Sequence, residues 1–441
     1  MLKFNPETER IDENAQGYEK AGIPVTDTYV ALGNEMFSKI RCVMYRPTKE
    51  TDRKSAGIVI VHSDDDYALF PAGAELAKRG YTTLCGQVLR QDSSLDRKIE
   101  DISICVNFLR KLPGIRNVIL LGHSGGASLM SAYQAAAEKG PAYFSSDRFL
   151  VAMDIHMDLI PADGLLLMDS NWGNGSMTLF SMDPAVTEEG NGMKLDPALD
   201  IFDPEHGFRK GGSCYTQPFK TRYFEAQKER NNRLVREALD RMTLVRQGKG
   251  RFRDDEPFLV AGGAQMKPCN KLIPEDVHLL AHTKEAYPLY HKGGRRTMEV
   301  VPCVRKAEDF DASATPRISS CLMVTLRDFL TNRAVFAGDG YGIFEEEVRG
   351  VLWEQTWNCT PGNVRFISAP MLILGMTGSY EYLAAETIFR NAGSADKEIG
   401  FVEGAGHNFF PEKNSLDPES YGDTAGTTFD LAAEWLDERF A

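Results

Sequence analysis

Residues 117–130 read NVILLGHSGGASLM, and this stretch decides how the rest of the chain is read. Val118 to Leu121 is a short run with no polar face, as a strand buried on both sides requires. Gly122-His123-Ser124-Gly125-Gly126 follows, and then small residues that suit the start of a helix. Glycines flanking one serine allow a strained turn and a close approach of neighbouring backbone. The pattern fits the G-x-S-x-G arrangement, in which a sharp strand-to-helix turn exposes a serine hydroxyl. Gly125 would then present its N–H, at a helix N-terminus, to an oxyanion forming on Ser124.

Further runs like Val118–Leu121 recur along the chain: GIVIV (57–61), YTTLC (81–85), GLLLM (164–168), MLILG (371–375) and IGFVE (399–403). Between them lie helical patterns at 70–79, 95–112, 126–139 and 427–440, the second with Ile99, Ile102, Val106 and Leu109 on one face. Alternation of this kind predicts an α/β fold with helices on both faces of a parallel sheet. Two alternating stretches around Gly33-Asn34, between Thr26 and Pro47, predict a β-hairpin at the start. The rhythm breaks from about 170 to 365. There the sequence predicts a long charged helix (218–245), an apolar helix near 322–336, and a charged turn, HKGGRR (291–296).

The chain has 441 residues, 63 acidic and 50 basic, for a formal net charge of −13. That acidity argues against nucleic-acid or anionic-membrane partners, which need a basic footprint. The polar N-terminus MLKFNPETERIDENAQ lacks a signal-peptide core, and no run is long enough to span a membrane. None of the eight cysteines forms a CxxC pair, so reduced thiols in a cytoplasmic protein are expected.

With the serine turn, the order of runs and the long interruption, the sequence resembles the α/β-hydrolase superfamily over residues 25–170 and 366–441. The resemblance implies a mostly parallel eight-stranded sheet flanked by helices, made from the hairpin and the six runs, with Ser124 after the fifth strand. It also implies a large, mainly helical cap inserted after the sixth strand. The core would comprise 1–170 and 366–441, and the cap 171–365.

A serine hydroxyl needs a base to take its proton. The family places a histidine after the last strand, where FVEGAGHNFFP (401–411) supplies His407. The family's usual aspartate slot, past the seventh strand, holds Gly378 in MLILGMTGSYEY (371–382). Two carboxylates can replace it: Asp169, at the end of the sixth strand, and Glu381, slightly beyond the usual slot. The second oxyanion donor normally lies in a His-Gly turn after the third strand. Here the sequence is His62-Ser63-Asp64-Asp65-Asp66-Tyr67, so the N–H of Ser63 or Asp64 must serve. The three aspartates read as a solvent-facing loop rather than a cation site, and neither metal nor cofactor is expected. Tyr67, His123 and Trp172 are candidate substrate contacts, although His123 is expected to point into the fold.

The expected activity is hydrolysis of a carboxylic ester or lactone of a mid-sized, largely apolar small molecule through an acyl-enzyme. Aromatic residues of the insertion (Phe219, Tyr223, Phe224, Trp353, Trp357) would roof its pocket. An amidase, a C–C bond hydrolase, or a silent binding protein of the same fold are the alternatives. A homodimer is compatible with the sequence.

Overall fold

The computed structural model describes residues 22–35, 38–87, 93–189, 194–265, 271–308 and 320–440. The polar N-terminal segment and Cys269 lie outside these residues. β1 (Val25–Glu35) and β2 (Ser38–Pro47) form the expected antiparallel hairpin. β3 (Ala56–Val61), β4 (Thr82–Gln87), β5 (Asn117–Ser124) and β6 (Gly164–Ser170) follow, and strands Met371–Met376 and Lys397–Val402 complete the expected eight. They lie in the order β1-β2-β4-β3-β5-β6, then 371–376, then 397–402, and every pairing from β4 onward is parallel.

Strand residues alternate between two cores, which is why the runs lack a polar face. Val59, Val61 and Leu120 pack with α2 (Leu95–Arg110) and α3 (Gly126–Lys139) on one side. Ile58, Ile60, Ile119 and Leu121 pack on the other, with Leu76 of α1 (Pro71–Ala77) and with Phe429 and Leu436 of the closing helix Thr424–Phe440.

Two strands from the insertion extend the sheet to ten. His282–Tyr290 runs parallel to Lys397–Val402, and Arg296–Pro302 forms the antiparallel edge. HKGGRR is the turn between these two strands, with its His291 buried against Glu403 at 2.7 Å. The insertion begins with α4 (Asn174–Phe180) and carries the expected long helix as α5 (Gln217–Arg246). Thr216 caps α5, and the helix buries a face that includes Phe219, Tyr223, Gln227, Leu234, Ala238 and Met242. Small antiparallel pairs join 257–260 to 322–325 and 337–343 to 348–351. Leu322–Thr325 is therefore a strand where a helix was expected. The Thr325 side chain accepts a hydrogen bond from the Asp328 N–H, so helical turns begin only at Leu326.

β3 lies between β4 and β5, so the chain leaves it on one side and returns on the other. Such a reversal opens a crevice at the carboxyl ends of the strands. The loops after β3, β5, β6, 371–376 and 397–402 all converge there.

Candidate active site

Ser124 is the last residue of β5 and has φ +53, a left-handed conformation that costs a non-glycine residue about 1–2 kcal/mol. α3 starts two residues later, so the hydroxyl stands at the strand–helix corner. A Cβ on Gly122 would come within 2.7 Å of Ala127 Cα, and one on Gly126 within 2.9 Å of the Val61 carbonyl. The glycines are thus required by the close crossing of helix and strands.

Asp169, the penultimate residue of β6, has φ +40, and its side chain is fully buried. Its Oδ1 accepts the Met376 N–H at 3.0 Å, and its Oδ2 lies 2.7 Å from His407 Nδ1. Glu381, on the turn Tyr380–Leu383, reaches the same nitrogen only at 3.8 Å, too long for a hydrogen bond. Burial raises the Glu381 carboxyl above its ordinary range, and the Asp169 charge adds to this. His407, Lys271 and a hydrogen bond from the Ser124 hydroxyl oppose it. Gly378 occupies the family's usual acid slot because there is no room for a side chain. A Cβ there would meet Glu412 Cβ at 2.5 Å and the Ala405 carbonyl at 2.7 Å.

The loop carrying His407 is pinned from two sides. Thr377 Oγ1 accepts the Gly404 N–H at 2.8 Å, and the ring of Phe409 is buried beside Phe70 and Phe429. His123 Nε2 donates to the His407 carbonyl at 2.7 Å. A carbonyl only accepts, so the Nε2 of His123 carries a proton and its Nδ1 accepts the Tyr67 hydroxyl at 2.6 Å. Tyr67 and His123 therefore reach the cavity wall with their polar atoms engaged, and His123 points inward as expected. Trp172 does not reach it. Its ring is buried against Phe180, and its Nε1 donates to Thr387 Oγ1 at 3.2 Å.

The turn after β3 differs from a solvent-facing acidic loop. The Asp64 N–H donates to His62 Nδ1 at 3.0 Å, which leaves Ser63 as the expected main-chain donor beside Gly125. The Asp64 carboxylate is paired: Arg333 Nη2 lies 2.9 Å away and Lys98 Nζ 3.6 Å away. Burial alone would push this carboxyl up, but Arg333, Lys98, His62 and the Ser63 hydroxyl hold it well below the usual carboxylate range. Asp66 remains exposed. Among the described residues, no group of three or more His, Cys, Asp or Glu side chains is placed to hold a metal ion.

Two cavities meet at the serine. One, of about 710 Å³, runs along His62, Asn174, Met177, Leu322 and Arg333; the other, of about 450 Å³, runs along Arg305, Glu308 and Glu412. Ser124, His407, Glu381, Lys271, Gln265 and Tyr380 line both. Sequence reasoning did not single out His62, Asn174, Gln265, Lys271 or Arg333. Asn174 lies just past the end of β6, close to the expected Asp169, and that proximity was the one available signal.

A scan against protein-family models gives no match, and neither does a search of curated proteins. Solved structures overlap only loosely. A hypothetical protein from Pseudomonas aeruginosa has 14% identity and a TM-score of 0.41 over 100% of this chain and 99% of its own. Est1E from Butyrivibrio proteoclasticus has 11% identity and a TM-score of 0.39 over 93% and 98%. Carboxyl esterase 2 from the fungus Tuber melanosporum has 10% identity and a TM-score of 0.38 over 96% and 91%. Overlaps at this level carry no weight on their own. Strand order and the serine turn define the architecture: this is an α/β-hydrolase fold.

Proposed function

We propose that the protein is a serine hydrolase that cleaves carboxylic esters, with residues 171–365 acting as its cap. Ser124 Oγ attacks the carbonyl carbon, and His407 takes the hydroxyl proton at Nε2. Its Nδ1–H rests on Asp169, which fixes the tautomer and stabilises the imidazolium. The N–H groups of Gly125 and Ser63 receive the charge that develops on the carbonyl oxygen. The leaving alcohol then takes the proton from His407, and water repeats the sequence on the acyl-enzyme. The observation that carries this reading is the 2.7 Å contact between His407 Nδ1 and Asp169 Oδ2, formed beside a serine held at φ +53.

The cavity walls shape the substrate proposal. Phe219, Tyr223 and Trp357, expected above to roof an apolar pocket, are buried in the protein's own core. Around the serine stand Asn174, Gln265, Lys271 and Glu381, with Met177, Leu322 and Met323 further along one wall. This mixture suits a mid-sized ester or lactone that carries hydroxyl or carbonyl groups near the scissile bond, rather than a bare hydrocarbon.

Turnover of p-nitrophenyl acetate and butyrate tests the reading. The protein should release a burst of nitrophenol no greater than one equivalent, followed by a steady rate, and Ser124→Ala should lose both. A folded protein with neither burst nor steady turnover, against these and a panel of lactones, would count against it.

A further inference from the structure

The turn after β3 has no glycine, yet it must hold one backbone N–H toward the oxyanion. Its shape is set from outside the turn. Ser63 Oγ donates to Asp64 Oδ2 at 2.7 Å, and Asn174 Nδ2 reaches the same oxygen at 2.9 Å. Asp64 Oδ1 receives Arg333 Nη2 at 2.9 Å and Asn332 Nδ2 at 3.3 Å, with Lys98 Nζ at 3.6 Å. Asn174 also links the two halves of the oxyanion site. Its Nδ2 lies 3.0 Å from Ser63 Oγ and 2.7 Å from Asn332 Oδ1, while its Oδ1 sits 2.8 Å from the point where Gly125 would bear a Cβ. Arg333 is further held by Asp328 at 3.5 Å, so Asp64 and Asp328 balance Lys98 and Arg333. These partners come from α2, from α4 and from residues 328–333, well apart in the chain. Lys98 is fully buried, whereas Arg333 and Asp64 are partly exposed and both line the larger cavity.

We propose that Arg333 and Asn332 of the insertion, acting through the Asp64 carboxylate, are positioning residues. They hold the turn after β3 in the shape that aims the Ser63 N–H at the oxyanion. The insertion is then part of the catalytic centre's framework as well as its cover. This rests on the serine-hydrolase reading above. In an ordinary hydrolase of this fold, glycine gives the turn its shape; here a charged anchor on the insertion replaces that freedom. Losing one oxyanion donor costs about 100- to 1000-fold in kcat, so loosening one rather than deleting it should cost about 10- to 100-fold.

The test compares wild type with Arg333→Met, Asn332→Ala and the double variant Asp64→Asn/Arg333→Met. The readouts are the rate constant for phosphonylation of Ser124 by a fluorophosphonate, kcat and KM for p-nitrophenyl butyrate, and Tm. Phosphonylation places an oxygen in the same hole, so it reports the geometry directly. Arg333→Met should slow phosphonylation and lower kcat by about 10- to 100-fold while KM stays within about threefold. The double variant, which removes both charges together, should regain Tm without regaining kcat. Asn332→Ala should show the same split more weakly, and it serves where Arg333→Met does not fold. Recovery of kcat along with Tm in the double variant would overturn the proposal, leaving a purely structural ion pair. A rise in KM at unchanged kcat would also overturn it, making Arg333 a substrate anchor. Absence of labelling in the wild type would instead refute the hydrolase reading and take this proposal with it.

Discussion

Replacing Asp169 with asparagine tests the hydrogen-bond logic of the site. The carboxylate accepts two hydrogen bonds at once, from the Met376 N–H at 3.0 Å and from His407 Nδ1 at 2.7 Å. An amide offers one oxygen and one NH2 group. The Met376 donor is main chain within a parallel strand and cannot turn away, so the amide oxygen must face it. The NH2 group then faces His407 Nδ1, which becomes an acceptor, and the ring's proton moves to Nε2. A histidine protonated at Nε2 cannot take a proton from Ser124. The same change in a serine-protease triad costs about 10⁴ in kcat, or about 5.5 kcal/mol of transition-state stabilisation. Both donors still find a partner in the variant, so the fold should lose only about 1 kcal/mol. Ester turnover and thermal unfolding, measured on Asp169→Asn and Glu381→Gln side by side, check this. If Asp169→Asn keeps activity within tenfold while Glu381→Gln abolishes it, the 3.8 Å carboxylate is the working partner and the reasoning fails.

Three further outcomes are expected. Gly378→Asp, which restores the family's usual acid, should destabilise the protein by about 1–3 kcal/mol or more and leave activity no higher, as thermal unfolding and turnover will show; its Cβ has no space between Glu412 and Ala405. Burial pushes the Asp328 carboxyl up to about 6 despite Arg333 and Lys98 beside it. Its folded value lies above the unfolded one, so the native state binds the extra proton and stability falls as pH rises from about 4 to about 6, by about 3 kcal/mol at most. Denaturant titrations should show that slope flattened in Asp328→Asn. Trp172→Phe should leave KM and kcat within about twofold, because the ring lines neither cavity, while losing the Thr387 hydrogen bond lowers stability by about 1 kcal/mol.

Six strands were legible because each is apolar on both faces, a pattern that helices on both sides of a parallel sheet impose, and the hairpin strands were legible from their alternation around Gly33-Asn34. The two added strands were not. HTKEAYPLY and RTMEVVP lie toward the sheet's edge, where the exposed Glu285 and Glu299 and the half-buried, ion-paired Lys284 break the apolar run. Ser124 and His407 follow from the glycine turn and from chain order. The carboxylate stayed open between Asp169 and Glu381, because the distance from each to His407 depends on how two loops close. No local pattern reports that closure. Asp64 was misjudged as solvent-facing for a related reason: its partner Arg333 stands 269 residues away, within the least patterned part of the chain. The aromatic residues of the insertion are expected to form a roof, but Phe219, Tyr223 and Trp357 are buried in a core continuous with one face of the sheet.

The most direct test of the central claim is the site of covalent capture. The protein should be treated with a fluorophosphonate, digested, and the adduct located by peptide mass spectrometry, alongside folded Ser124→Ala and His407→Ala variants. The account predicts one adduct, on Ser124, absent from both variants. An adduct that persists in Ser124→Ala, or a folded wild-type protein that takes no label while p-nitrophenyl esters also remain intact, would contradict it.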